Sequence, residues 1–432
     1  MVKRMVETNT AAICNKCIQD AVRAIGGSTA TPSPGGAKEQ PLQRPKEIKT
    51  WLDQFVISQE RAKRDIAVAI YNHYKRRDAT KQQLIDEENL SQVEISKSNV
   101  LLMGPSGTGK TEIARAIAKM LGVPFHIADA TKLTSAGYIG DDVETMLQGL
   151  ITDANGDVDR AAWGILFIDE FDKLARKSGR SATGYRDVSG EGVQQALLKL
   201  VEGSRMAVPR ASRMGTDVID TTNILVIGGG SFAGIEEVIT QRINRSSRMG
   251  FGSEGGKKPL TLAAEEAYDT YCKTAKIEKP WKNLTGDEQK SWLQSALYTR
   301  VTEADVLEFG LIPELLGRFP VMTTTLPLTE EDLVRVLTEP RNALTKQYRA
   351  LAAMDGINLQ FDVEALKAIG REAQRRPTGA RALRSILESI LRDLTFEHAG
   401  DSTVKAIQIT QDVVENKGQA TIVREGRVAQ AN

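Results

Sequence analysis

Residues 104–111 read GPSGTGKT, which fits the pattern G-x-x-x-x-G-K-[ST]. A loop of this kind works between a buried strand and the start of a helix, so it constrains the fold on both sides. Both neighbours are legible. Val100, Leu101, Leu102 and Met103 form a short apolar run, as a parallel strand buried on both faces would. After Thr111, the residues Ile113, Ile117, Met120 and Leu121 fall on one helical face. Gly104, Gly107 and Gly109 let the backbone curl, so that its N–H groups face an anion at a helix N-terminus. Pro105, Ser106 and Thr108 complete the loop. Lys110 would neutralise the β- and γ-phosphates of a nucleotide, and the Thr111 hydroxyl would help hold Mg²⁺.

A second apolar run, residues 165–170 (ILFIDE), ends in two carboxylates. Asp169 suits the Mg²⁺ shell, and Glu170 suits polarisation of an attacking water, which hydrolysis needs and binding alone does not. A third run, residues 224–227, ends in Gly228, Gly229 and Gly230. Parallel strands alternating with helices predict a doubly wound α/β sheet with ligands at the strand C-termini.

Composition narrows the class. The 432 residues suffice for more than one domain, and a hydrophobic content of 41% suits globular cores. A net charge of +1 gives no global field favouring nucleic acid or a membrane surface, and no aromatic-plus-basic groove signature is present. No run of about eighteen apolar residues exists to span a bilayer. Lys3 and Arg4 are not followed by an apolar signal region. Three cysteines argue against a disulfide scaffold and for a reducing compartment, so a cytoplasmic location is expected.

Residues 1–27 form a small segment containing Cys14 and Cys17, and the Ser/Thr/Pro/Gly-rich residues 28–45 read as a flexible linker. A large α/β domain is expected over 46–327, with a polar insertion over about 252–303 that is helical around 287–297. A smaller α+β domain is expected over 328–432. Thr329 and Asp332 suit a capping box at its start. Leu383, Ile386, Leu387, Ile390, Leu391 and Leu394 mark its strongest helix, and the β-like runs 404–410 and 420–423 are expected to pair.

These motifs, with VISQERAKRDIAVAIYNHYKRR, VPFHIADATKLTSAGYIGDDVE, RDVSGEGVQQALLKLVEG, FGLIPELLGRFP, EPRNALTKQY and TGARALRSILE, resemble the ClpX family from about residue 45 to about residue 425. ClpX proteins are hexameric AAA+ unfoldases that feed the ClpP peptidase. The resemblance implies an AAA+ P-loop NTPase large domain and ATP with Mg²⁺ as the ligand. It places Val56 and Ile57 against adenine, Arg318 in the neighbouring subunit's nucleotide site, and Arg381 as the nucleotide-sensing arginine of the small domain. Gly137, Tyr138, Ile139 and Gly140 match the pore loop that grips polypeptide, with a second pore loop within residues 177–188. Met249, Gly250 and Phe251 occupy the place of the peptidase-docking tripeptide.

Three departures from the family are visible. Family members usually begin with a zinc domain of four cysteines in two CxxC pairs, whereas here Cys14 and Cys17 form one pair and no His accompanies them. Two thiolates make an open site. Zinc would need ligands from another chain or from upstream, and the alternative is a short helix with inert or oxidisable thiols. The family's Arg-Lys-His entry loop is not recognisable in residues 208–217, which hold Arg210 and Arg213 but no His. The 252–303 insertion is longer than expected. The resulting expectation is a ring homo-hexamer that hydrolyses ATP to unfold and thread proteins into ClpP, with adaptors as further partners, and with no peptidase site, nucleic acid or membrane of its own. A peptidase-independent remodelling chaperone and a regulatory subunit of a mixed ring are the alternatives.

Overall fold

The computed structural model describes residues 5–8, 11–14, 43–79, 95–133, 143–175, 190–210, 215–248, 280–376, 378–425 and 427–430, together with positions 261, 262, 264–266, 268, 269 and 272. Residues 1–41 form one compact unit and residues 42–432 another. In the first, β1 (Met5–Thr8) pairs antiparallel with β2 (Ala11–Cys14), Met5 opposite Cys14. Ile13 and Cys14 therefore lie on a strand. The short-helix alternative for this segment therefore does not include Cys14, which closes the hairpin opposite Met5. Cys17 lies outside the described residues.

The second unit opens with α1 (Pro45–Asp53) and α2 (Glu60–Ala79). Its main sheet comprises β3 (Val100–Met103), β4 (Phe125–Asp129), β5 (Ile165–Asp169), β8 (Leu225–Gly230) and β9 (Val321–Thr324). Their spatial order is β4-β5-β8-β3-β9, all parallel. The central strands β3, β5 and β8 are buried and apolar up to their C-terminal ends because both faces are covered, whereas the edge strands β4 and β9 carry polar residues such as His126 and Thr323. Successive side chains point to opposite faces, and the core divides accordingly. Val100, Leu102, Ile165, Phe167, Leu225 and Ile227 pack with α1, α2 and α3 (Lys110–Leu121). Leu101, Met103, Leu166, Ile168 and Val226 pack with α4 (Val143–Asp153), α5 (Gly190–Glu202) and α6 (Ile235–Arg248). A separate antiparallel ribbon joins β6 (Arg205–Pro209) to β7 (Thr216–Asp220).

The helix expected within the insertion is α7 (Gly286–Tyr298), started by a capping box between Thr285 and Glu288. The C-terminal region begins with α8 (Glu330–Thr338). There Thr329 Oγ1 accepts from Asp332 N at 3.1 Å, and Asp332 Oδ2 accepts from Thr329 N at 3.1 Å. After α9 (Leu344–Met354) come β10 (Asn358–Phe361), α10 (Val363–Arg375) and α11 (Arg381–His398), then β11 (Val404–Ile409), β12 (Thr421–Arg424) and β13 (Arg427–Gln430). β11 and β12 pair antiparallel, as their sequences suggest, and β10 joins β11 in parallel. Leu383, Ile386 and Leu387 of α11 pack on Leu333 and Leu337 of α8 and on Ile369 and Ala373 of α10. The large and small regions meet where Arg341 N donates to Gln54 O at 2.7 Å and where Ser58 Oγ hydrogen-bonds Asp332.

Candidate nucleotide site

β3 and β5 both run parallel to β8, which lies between them, so the loops leaving β3 and β5 emerge at the same end of the sheet. That end carries the two acidic and phosphate-binding motifs. Gly104, Gly107 and Gly109 all have positive φ, at 142°, 79° and 96°. Close approach adds a second reason for glycine. A Cβ on Gly104 would stand 2.3 Å from Thr325 O, and one on Gly107 would stand 2.6 Å from Thr378 O. Pro105 and Thr108 are tied together, Thr108 Oγ1 donating to Pro105 O at 2.8 Å. Thr108 Oγ1 also shares a 2.6 Å hydrogen bond with Thr325 Oγ1, and Thr325 N donates to Met103 O at 2.7 Å. The end of β9 thus holds the loop in shape. Nothing in local sequence marks Thr325 for this role.

Lys110, the first residue of α3, is buried, and its Nζ donates to Gly104 O at 2.6 Å and Pro105 O at 2.8 Å. Burial pushes its ammonium down from 10.5 to about 8, opposed by the nearby charge of Asp169 and reinforced by Arg381. A cation folded back onto neutral carbonyls in a desolvated loop is a group waiting for an anion. Thr111 Oγ1 lies 3.5 Å from Asp169 Oδ2. A hydroxyl and a carboxylate oxygen at this separation form a hard-oxygen set that suits Mg²⁺ carried in with phosphates. The loop and the donor set fit ATP with Mg²⁺.

Asp169 Oδ1 accepts from Glu170 N at 2.9 Å, and Glu170 itself adopts a left-handed backbone with φ 54°. For a non-glycine residue that conformation costs about 1 kcal/mol. It turns the exposed Glu170 side chain away from the strand direction. The turn continues through Phe171–Leu174, and Asp172 anchors it. Asp172 is buried, accepting Ser231 N at 3.0 Å and Ser231 Oγ at 3.2 Å. The three glycines ending β8 make this possible. A Cβ on Gly228 would meet the Phe171 ring at 3.0 Å, one on Gly229 the Phe167 ring at 2.3 Å, and one on Gly230 Asp172 Oδ1 at 2.6 Å. Each glycine leaves room for a side chain on the acidic strand or its turn.

Val56 and Ile57 are each 5% exposed, and Val56 belongs to the core beneath α3. A Cβ on Gly109 would lie 3.4 Å from Val56 Cγ1, so Val56 both packs in the core and faces the loop. The turn before α11 lies on the loop from the small-region side. A Cβ on Gly107 would be 3.1 Å from Ala380 N and 3.5 Å from Arg381 N, and one on Gly379 would be 3.6 Å from Ser106 O. Arg381 is exposed there.

Arg318 is not at this end. Its carbonyl accepts from Asn99 Nδ2 at 2.9 Å, at the N-terminal end of β3. The four-residue β3 separates it from the loop by about 13 Å of strand. Its guanidinium pairs with Glu202 at 2.7 Å, both side chains being about half exposed. The structure thus brings Val56, residues 104–111, Asp169, Glu170 and Arg381 to one locality and leaves Arg318 elsewhere.

The AAA domain (Cdc48 subfamily) family model matches residues 95–322. That of the C-terminal, D2-small domain of ClpB protein matches residues 328–410. The ATP-dependent Clp protease ATP-binding subunit ClpX of Treponema denticola is 42% identical over 419 residues, covering 94% of this chain and 89% of its own length. The chain belongs to the ClpX family. The ATP-dependent Clp protease ATP-binding subunit ClpX 3 of Methylococcus capsulatus is also 42% identical, over 95% of this chain and 89% of the relative. That of Borrelia duttonii is 40% identical over 98% and 90%. An AAA+ α/β core followed by a small C-terminal domain is the architecture of this ClpX-family chain.

Several expected features lie outside the described residues: Gly137, Tyr138, Ile139 and Gly140, residues 177–188, and Met249, Gly250 and Phe251. Of the altered entry loop, Arg210 is described. Its Nε donates to Asp217 Oδ1 at 2.7 Å, so its charge is paired at the loop end of the β6–β7 ribbon. Among the described residues no cluster of three His, Cys, Asp or Glu could hold a metal, and no helix is long and apolar enough to cross a membrane.

Proposed function

We propose that this chain is an ATP-hydrolysing ring subunit that unfolds proteins and threads them toward a ClpP-type peptidase. The observation that carries the reading is the meeting of Lys110 and Thr111 with Asp169 and Glu170 at one end of the sheet, while Arg318 hangs from the opposite end of β3. A site so divided is completed by a second copy, as in a ring. Lys110 and the backbone N–H groups of the loop bind and orient the triphosphate. Thr111 and Asp169 would hold Mg²⁺ brought in with the nucleotide, and the ion would supply charge neutralisation there. Glu170 orients the attacking water and takes up its proton. A neighbour's Arg318 stabilises charge developing on the transferred group, a role worth roughly 10³–10⁵ in rate in other NTPases. Arg381, the first residue of α11 beside the turn that lies against Ser106 and Gly107, links nucleotide state to the position of the small domain.

Tyr138, between Gly137 and Gly140, is the polypeptide-gripping residue of the axial channel in this reading, with Ile139 beside it. Met249, Gly250 and Phe251 dock the peptidase, Met serving as an adaptable apolar side chain. Relatives named as Clp protease ATP-binding subunits support the partnership. The set Lys110, Asp169, Glu170, Arg318 and Arg381 is complete, which favours an active subunit over a purely regulatory one. Glu170→Gln is the direct test of the hydrolytic assignment. The variant should bind ATP with near-wild-type affinity and lose turnover by 10² or more. Wild-type hydrolysis by Glu170→Gln would remove Glu170 from the mechanism.

A further inference from the structure

Arg318 combines a backbone tied by a buried amide with a half-exposed side chain. The Asn99 amide, 1% exposed, donates to Arg318 O at 2.9 Å and to Val201 O at 3.1 Å, and its Oδ1 accepts from Val226 N at 3.3 Å. Leaving such buried groups unpaired is costly, so the main chain at Arg318 is fixed. The next residue, Phe319, is buried and meets the Phe171 ring edge-on, with centroids 5.1 Å apart. The Arg318 guanidinium, by contrast, is half exposed and reaches Glu202 Oε1 at 2.7 Å. Because Asn99 holds the carbonyls of both Val201 and Arg318, it also sets Glu202 and Arg318 side by side.

Glu202 is the last residue of α5. A carboxylate there faces the partial negative charge of its own helix end, which is locally unfavourable. The guanidinium offsets that cost, and Glu202 stands at the Arg318 end of the sheet, away from the phosphate loop of its own subunit.

We propose that Glu202 holds Arg318 in reserve within its own subunit and yields it when a neighbouring subunit presents a bound triphosphate. This rests on the reading of Arg318 as the arginine that reaches a neighbour's nucleotide. An exposed ion pair is weak, worth at most a factor of about five in an equilibrium. A polyphosphate carrying several charges displaces such a partner readily, whereas an empty neighbour leaves the pair intact. Glu202 is a positioning residue that sets the threshold for engagement between subunits.

The test compares Glu202→Gln, Glu202→Asp, Arg318→Ala and the double variant Glu202→Gln/Arg318→Ala. Removing the charge with Gln should raise kcat/KM for ATP by about two- to fivefold. It should also lower, by a similar factor, the subunit concentration at which rings form with a non-hydrolysed ATP analogue, read by analytical ultracentrifugation. Asp keeps the charge and should stay near wild type. In the Arg318→Ala background the Gln substitution should change neither readout. An inactive Arg318→Ala together with an unchanged or weakened Glu202→Gln would overturn the reserve role and leave the reading of Arg318 standing. An Arg318→Ala variant that hydrolyses ATP like wild type would overturn the reading of Arg318 itself.

Discussion

Lys110 enters the ligand-free loop with its charge poorly supported, and that has a measurable consequence. Its Nζ donates to two neutral carbonyls, Gly104 O and Pro105 O, and burial lowers its pKa to about 8. A triphosphate supplies the missing countercharge, so binding must raise that pKa. By linkage, binding takes up a proton wherever the free loop has lost one, and affinity falls as pH climbs past 8. With the bound-state pKa above the range studied, the charged fraction of free Lys110 drops from about one half at pH 8 to about one tenth at pH 9, so Kd should rise about fivefold over that unit. Isothermal titration of Glu170→Gln with ATP and Mg²⁺ at pH 7, 8 and 9, in buffers of different ionisation enthalpy, reads both affinity and proton uptake. Lys110→Met should bind weakly and without the added pH dependence. A Kd that is flat from pH 8 to 9 in the Glu170→Gln protein, with heats independent of buffer, would refute the reasoning.

Lys97 makes a parallel case for stability. The Nζ of this half-buried residue donates to Leu200 O at 3.4 Å and Thr221 O at 3.1 Å, and desolvation, with a smaller contribution from Arg76, pushes it down to about 7. The folded state then binds fewer protons than the unfolded chain between about pH 7 and the ordinary lysine value. The cost is full below pH 7, and stability should climb by up to about 1.4 kcal/mol per pH unit above it. Urea midpoints of Lys97→Met should lose that part of the slope, and an unchanged slope would contradict the desolvated-ammonium account. Gly230→Ala puts a methyl 2.6 Å from Asp172 Oδ1 and 2.8 Å from the Phe232 ring. It should cost about 1–3 kcal/mol in denaturant unfolding and reduce ATP turnover by moving the Glu170 turn. A fully stable and active Gly230→Ala would show that the close approach is not needed.

Local pattern carried much of this structure. Residues 104–111 declare the loop, its strand and its helix because backbone curvature and anion binding both demand particular residues in one short stretch. The same holds for the Thr329–Asp332 capping box and the apolar face of α11, which are contacts within one turn or one helix. What stayed hidden depends on residues far apart in the chain. Asn99 reaches Val201, Val226 and Arg318, Thr325 reaches Thr108, and Asp172 reaches Ser231. Nothing near Asn99 says that its amide will hang the arginine segment from the wrong end of β3. The glycine run 228–230 was visible as the end of a strand, but its purpose, room for Phe171, Phe167 and Asp172, appears only once β8 lies beside β5. In the N-terminal unit, the strand ending at Cys14 depends on pairing with Met5, which local helix-or-loop reasoning does not anticipate.

The most direct measurement is the fluorescence of a tagged, stably folded fluorescent protein incubated with this chain and ATP, with and without a cognate ClpP. A lasting loss of fluorescence that requires ATP and ClpP and vanishes with Glu170→Gln is the expected result. ATP hydrolysis at normal rates with fluorescence unchanged, in substrates bearing a range of tags, would contradict the unfoldase assignment.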